Sequence, residues 1–183
     1  MFFIEIMNIS NDKKMSVAFL LLGANLGNRN ENILTAKKQL EVSAGKIIMS
    51  SSVSETEPWG KIHQPAYLNQ VLILETTLLP YRLLDATKTI EKNFGERIPH
   101  SWNAREMDID ILYYDSQVIN NQLINIPHPY IPFRKFTLTP LVEIAPDFIH
   151  PVYRLSNAEL LGCCLDTSTV LSTKQCGEKS VQK

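Results

Sequence analysis

What most constrains this chain is the order in which its apolar periodicities change. "VAFLLLG", residues 17–23, is a continuous apolar run of strand length that ends at the turn "GANLGN". Ile33, Ala36, Leu40 and Ala44 then recur at helical spacing, behind Asn28 and Glu31 as a capping box. "KIIMSSSV", 46–53, reads as a second strand; after the polar loop "SETEPWGKIHQP" comes "AYLNQVLILET" as a third. Pro80 suits the first turn of another helix, Leu83, Thr87, Ile90 and Phe94 form its buried stripe, and Gly95 stops it. A basic loop, 95–106, leads into a fourth strand, with a short "QVIN" strand after it. The order β-α-β-β-α-β predicts an α+β fold, ferredoxin-like, with an antiparallel sheet. Both helices then share one sheet face, and the other face can stay open for a site. Further on, "TLTPLVEIAPDFIHP" is expected to hold a short helix, and Ser156 with Glu159 to cap a second.

The fourth strand, within "SWNAREMDIDILYYD" (101–115), carries an oddity: Asp108 and Asp110 sit two positions apart in an otherwise apolar run. Strand side chains alternate, so both acids project from one face while Met107, Ile109 and Ile111 project from the other. Their backbones are roughly 6.6 Å apart, and like charges at that distance repel by roughly 2.5 kcal/mol at an effective dielectric of about 20. Two readings are open. One face of the sheet is simply wet, or a divalent cation such as Mg²⁺, which favours carboxylate oxygens, sits between the acids.

Composition narrows the classes. With 183 residues, 44% hydrophobic and 20% charged, the chain has material for one ordinary globular domain. A net charge of −1 argues against a general nucleic-acid binder. Cys163, Cys164 and Cys176 form no C-x-x-C pair and no disulfide framework, so free thiols in a reducing cytoplasm are expected. No apolar run approaches the length of a membrane helix. Residues 1–14 read as an N-terminal extension, 15–167 as a single domain, and 168–183, rich in Ser, Thr, Lys and Gln, as a flexible tail.

Candidate chemistry gathers around the acids. "GANLGN" lacks both the G-K-[ST] ending of a phosphate loop and the dinucleotide fingerprint, and reads as a tight strand-to-helix turn. Arg97, His100 and Arg105 run directly into Asp108 and Asp110, and Arg134 and His128 lie further on in a proline-rich loop. They are either counter-ions or the parts of a polyphosphate site, since guanidinium groups clamp phosphate oxygens and a metal bridges these to carboxylates. Trp59, Tyr67, Trp102 and Phe136 are either partial core or a sandwich for a flat heteroaromatic ring. Asn69 shares a strand face with Tyr67; its amide both donates and accepts, matching the edge of a pterin or purine, which Thr56 would complete.

Taken together, "LLLGANLGN", "TEPWGKIHQPAYLNQV", "NAREMDIDILYYD" and "IPHPYIPFRKFTLTPLVEIAPDFIHP" closely resemble the hydroxymethyl-dihydropterin pyrophosphokinases of folate biosynthesis. The resemblance spans about residues 17–151. It implies transfer of the β,γ-pyrophosphate of ATP to the hydroxymethyl group of the pterin. By the same resemblance Asp108 and Asp110 would hold two Mg²⁺ ions, with Arg105 and Arg134 as catalytic, phosphate-contacting arginines. Lys88, Glu91, Arg97, Trp102 and His128 would serve ATP; Tyr67 and Phe136 would flank the pterin ring, and Thr56, Trp59 and Asn69 would read its edge. The expected enzyme is a cytoplasmic monomer of small-molecule substrates, without nucleic-acid or membrane partners. The chain departs from the family pattern in "GERIPHSWNAR", where a W-G-P-R stretch is common, and at Leu123 and Asn125, where a cationic or polar pair commonly stands. A metal-dependent glycosyltransferase would need a nucleotide-binding α/β domain that this element order lacks. An RNA-binding module would want a basic chain and aromatic residues, not two acids, on its sheet.

Overall fold

A computed structural model describes residues 14–57, 64–95 and 104–173. Trp59, Arg97, His100, Trp102, Cys176, residues 1–13 and most of the tail lie outside the described residues. The elements run β1 (Ser16–Ala24), α1 (Arg29–Ser43), β2 (Lys46–Ser50), β3 (Val53–Thr56), β4 (Tyr67–Thr76), α2 (Pro80–Lys92) and β5 (Asp108–Tyr114). A small hairpin comes next, β6 (Ile119–Asn120) with β7 (Asn125–Ile126), then a 3-10 turn (Ile131–Phe133), α3 (Lys135–Ile144), α4 (Asn157–Cys163) and β8 (Val170–Thr173). The main sheet is antiparallel in the order β5-β1-β4-β3-β8, with β2 also on β4. This is the α+β, split β-α-β-β-α-β arrangement.

Helix ends obey their local chemistry. The Asn28 side chain accepts from the Glu31 amide, Pro80 opens α2, and Ser156 and Glu159 form a reciprocal capping box on α4. No described helix is long and apolar enough to cross a membrane.

The structure departs from the sequence-based expectation in two places. The run 46–53 is not one strand, because Ser51 interrupts it: its hydroxyl accepts from the Val71 amide, its own amide donates to the Val71 carbonyl, and its carbonyl accepts from the Gln70 side chain. The ladder to β4 therefore restarts at β3, inside the stretch expected to be loop. Second, part of the segment expected to be loose pairs as β8 along the outer edge of β3.

Both sheet faces carry apolar cores. Ala18, Leu20, Leu22, Leu68, Leu72 and Leu74 pack with Ile33, Ala36 and Leu40 of α1 and Leu83 and Ile90 of α2. On the opposite face Phe19, Leu21, Val71, Ile73, Leu112 and Tyr113 pack against Ile131, Leu138, Leu141 and Leu160. That second face is thus covered for part of its length by α3 and α4, which leaves its remainder for a site. The register between β1 and β5 shifts at Phe19/Leu20, which turns the adjacent Leu112 and Tyr113 into the same core.

Candidate active site

The covered face changes character at one end of the sheet. Along β1 the pattern Phe19, Leu21 continues to Gly23, which has no side chain to add. Gly23 pairs with Asp108 of β5 on one side and Asn69 of β4 on the other. An acid, a bare floor and an amide therefore lie in one row across three strands. A Cβ built on Gly23 would stand 3.5 Å from Asn69 Oδ1 and 3.9 Å from Tyr67 Cδ1, so these two side chains border the gap.

On the β5 side, Asp110 lies one row further in, opposite Leu21. Arg105 Nη1 stands 2.7 Å from Asp108 Oδ1. The Asp110 carboxyl is pushed up to about 7, first by burial and next by the charge of Asp108, while Lys88 and Arg134 pull it down. His128 is pushed down to about 4 by burial and then by Arg134, so it is neutral at pH 7. Its Nε2, 3.9 Å from Asp110 Oδ2, consequently makes no ion pair there. The Arg134 guanidinium lies 4.5 Å from the Tyr130 ring centre and 5.5 Å from that of Phe136. Glu91 accepts from both Lys88 Nζ (2.6 Å) and the Ile109 amide (2.9 Å) through Oε1, pinning β5 between its two acids.

On the β4 side Asn69 Nδ2 donates to Thr56 Oγ1 at 2.8 Å. Asn69 Oδ1, beside the Gly23 position, is left to accept and the Thr56 hydroxyl to donate, a complementary pair of buried groups. Tyr67 donates to Gln64 at 3.4 Å.

The sequence from 19 to 146 matches the model of the 7,8-dihydro-6-hydroxymethylpterin-pyrophosphokinase family. The chain belongs to this family. It is 43% identical to the 2-amino-4-hydroxy-6-hydroxymethyldihydropteridine pyrophosphokinase of Aquifex aeolicus over 76% of this chain and 87% of that protein. To its counterpart in Haemophilus influenzae it is 36% identical, over 75% and 86%. The fold is also similar to that of a Plasmodium falciparum HPPK-DHPS crystal structure, with a TM-score of 0.72 and 19% identity; the similarity covers 84% of this chain and 45% of that one.

The structure brings together Arg105, Asp108, Asp110, Lys88, Glu91, His128 and Arg134 on one side of the Gly23 floor. Thr56, Tyr67 and Asn69 stand on the other, and Arg134 reaches the ring of Phe136. Trp59, Arg97 and Trp102 lie outside the described residues. Asn25, a buried residue of the "GANLGN" turn, was not singled out by sequence. Its Oδ1 accepts from the Arg105 amide at 2.6 Å and its Nδ2 donates to the Pro65 carbonyl at 3.3 Å. The Asn25 and Leu26 amides in turn donate to the Arg105 carbonyl. The turn is thus a clasp that sets Arg105 beside Asp108. Only the polarity of its asparagines could have hinted at this.

Among the described residues no group of three or more His, Cys, Asp or Glu side chains gathers into a metal cage. A Mg²⁺ site needs none: this ion is commonly held by one or two carboxylates, with substrate phosphates and water completing the shell. The donor set fits, being two hard carboxylates of which Asp110 stays under-neutralised.

Proposed function

We propose that the chain transfers the β,γ-pyrophosphate of ATP to the hydroxymethyl group of 6-hydroxymethyl-7,8-dihydropterin, releasing AMP and the pterin diphosphate in folate synthesis. The observation that supports this reading is the row Asp108–Gly23–Asn69, an acid and an amide on either edge of one bare floor, to which the proposal assigns the phosphates and the pterin respectively.

Asp108 and Asp110 would hold Mg²⁺, two ions by the family resemblance, supplying charge neutralisation to the triphosphate and the attacking oxygen. Arg105 and Arg134 contact the phosphates, and their fixed guanidinium groups meet the charge that spreads over the transferred oxygens. Lys88, Glu91 and His128 line the nucleotide side; the neutral imidazole of His128 offers a hydrogen bond without adding charge. Asn69 and Thr56 read the pterin edge, and Tyr67 and Phe136 flank its ring. By the family resemblance Trp59 would serve the pterin edge, and Arg97 and Trp102 would serve ATP; all three lie outside the described residues. Little covalent chemistry is asked of the protein; holding the hydroxyl in line with the β-phosphorus is most of the work. The enzyme acts as a cytoplasmic monomer, and a dimer in sedimentation of the full chain would remove the second term.

Incubation with ATP, Mg²⁺ and the hydroxymethyl pterin is expected to yield AMP in step with pterin consumption. Formation of ADP, or no pterin-dependent turnover, would defeat the proposal.

A further inference from the structure

The chain continues past the matched stretch 19–146, and residues 165–173 return to the site twice. Helix α3 begins at Lys135, directly after Arg134 and one residue before Phe136, yet its own N-cap residue makes no side-chain capping bond. The missing cap comes from elsewhere: Asp166 Oδ2 accepts from the Lys135 amide at 2.9 Å, across 31 positions of sequence. The other oxygen, Oδ1, accepts from the Ser168 amide at 2.9 Å, which anchors the carboxylate to its own loop. Burial works to raise this carboxyl, and the amide bonds from Ser168 and Lys135 outweigh it, so its pKa ends below the usual range. A few residues on, β8 pairs with β3 and sets Val170 opposite Thr56. Without β8, β3 would be the free edge of the sheet.

Resting on the proposed transfer to a pterin, we infer that residues 165–173 are a positioning element for the pterin side of the site. Asp166 holds the start of the helix that carries Phe136, and β8 holds the strand that carries Thr56. The two elements bound opposite parts of the pterin site, so a single strap sets the width between ring and edge contacts. Asp166 touches no substrate and acts through the α3 backbone. The far end of α3 is tied independently, since Glu143 Oε1 accepts from the Ser52 amide at 2.8 Å and the Ser52 hydroxyl at 2.7 Å. Loss of Asp166 therefore lets the helix pivot at its first turn, under Phe136, and leaves its packing on the core in place.

The test uses the full chain with Asp166→Ala and Asp166→Asn. Pterin and a non-hydrolysable ATP analogue are titrated by calorimetry, and AMP formation is measured in parallel. In Asp166→Ala the pterin Kd and KM are expected to rise about fivefold, the size a lost cap implies, and ATP-analogue binding, which feels the same peptide through Arg134, to weaken by a smaller factor of about two to three. Asp166→Asn, whose single carbonyl oxygen can replace only one of the two acceptors, is expected to recover part of the loss at most. Equal losses for both ligands, or unchanged pterin binding in a folded Asp166→Ala chain, would overturn the inference while leaving wild-type AMP formation intact. A wild-type chain that neither binds pterin nor makes AMP would instead overturn the function, and this inference with it.

Discussion

One face of the sheet has two halves with opposite chemistry. Under α3 and α4 it is sealed by Phe19, Leu21, Val71, Ile73 and Tyr113, with Phe148 tilted over Phe19 and Tyr113 at ring separations of 4.7 and 4.6 Å. One row along, the same strands present Gly23, Asn69 and Asp108, and Asp110 stands at the β5 end of the row of Leu21 and Val71. The first half is apolar burial and dispersion, which stabilise the fold. The second holds two like charges, which work against it. The rigid half thus carries the strained half, and damage to each should read out differently: stability from one, turnover from the other.

The strongest way to break this division is to neutralise the polar half. Asp110→Ala is expected to lower AMP formation by about a thousandfold or more, since it removes a metal-binding carboxylate. The ligand-free chain should unfold at the same temperature as wild type or slightly higher, because a repulsion has gone. Near-normal turnover would end the metal assignment, and a large loss of stability would end the division. The matching change in the sealed half is Leu138→Ala, at a fully buried position of α3. It should cost about 2–5 kcal/mol in urea unfolding, with turnover per folded molecule reduced far less.

Proton linkage offers a subtler probe of the same contrast. The Asp110 carboxyl sits at about 7 in the fold against an ordinary value of 3.8. Between those values the folded chain keeps a proton that the unfolded chain has released, so ligand-free stability falls as pH rises from about 4 to 7 and levels off above. In Asp110→Asn this fall should largely vanish. Identical urea midpoints against pH in the two proteins would show that Asp110 is not the strained group.

Much of this was legible in the sequence because it is local. The continuous apolar run of β1, the alternation of β5, the helical stripes of α1 and α2, and Asp108 with Asp110 on one strand all come from spacing within a few residues. What escaped depends on partners far along the chain. Ser51 breaks the 46–53 run only because the Val71 amide is there to bond its hydroxyl. Val170–Thr173 is strand only because β3 offers an open edge, since "TSTVLST" in isolation has too little apolar material to hold. Asn25 acts across 80 positions, through the backbone of Arg105 rather than through any chemistry of its own that a motif would display. Positions of acids and aromatic rings could therefore be read directly, whereas the groups that aim them could not.

Aromatic and backbone tests give smaller effects and sharpen where the border lies. Phe136→Ala should weaken pterin binding about tenfold and ATP binding about twofold or less; equal losses in calorimetry would count against stacking.

The finest test is Gly23→Ala, at the border itself. An added methyl would meet Asn69 Oδ1 at 3.5 Å and Tyr67 Cδ1 at 3.9 Å, ordinary contact distances that require no shift of the strands. Exchanging glycine for alanine inside a strand also reduces the freedom of the unfolded chain, so stability should hold or rise by about 0.5 kcal/mol. Yet the methyl extends the sealed half by one position, into the floor between Asp108 and Asn69. Pterin affinity should drop about threefold, the scale of one methyl-sized misfit in a pocket. A stable Gly23→Ala chain with undiminished pterin binding would mean that the bare position is a packing convenience and that the pterin lies off this row.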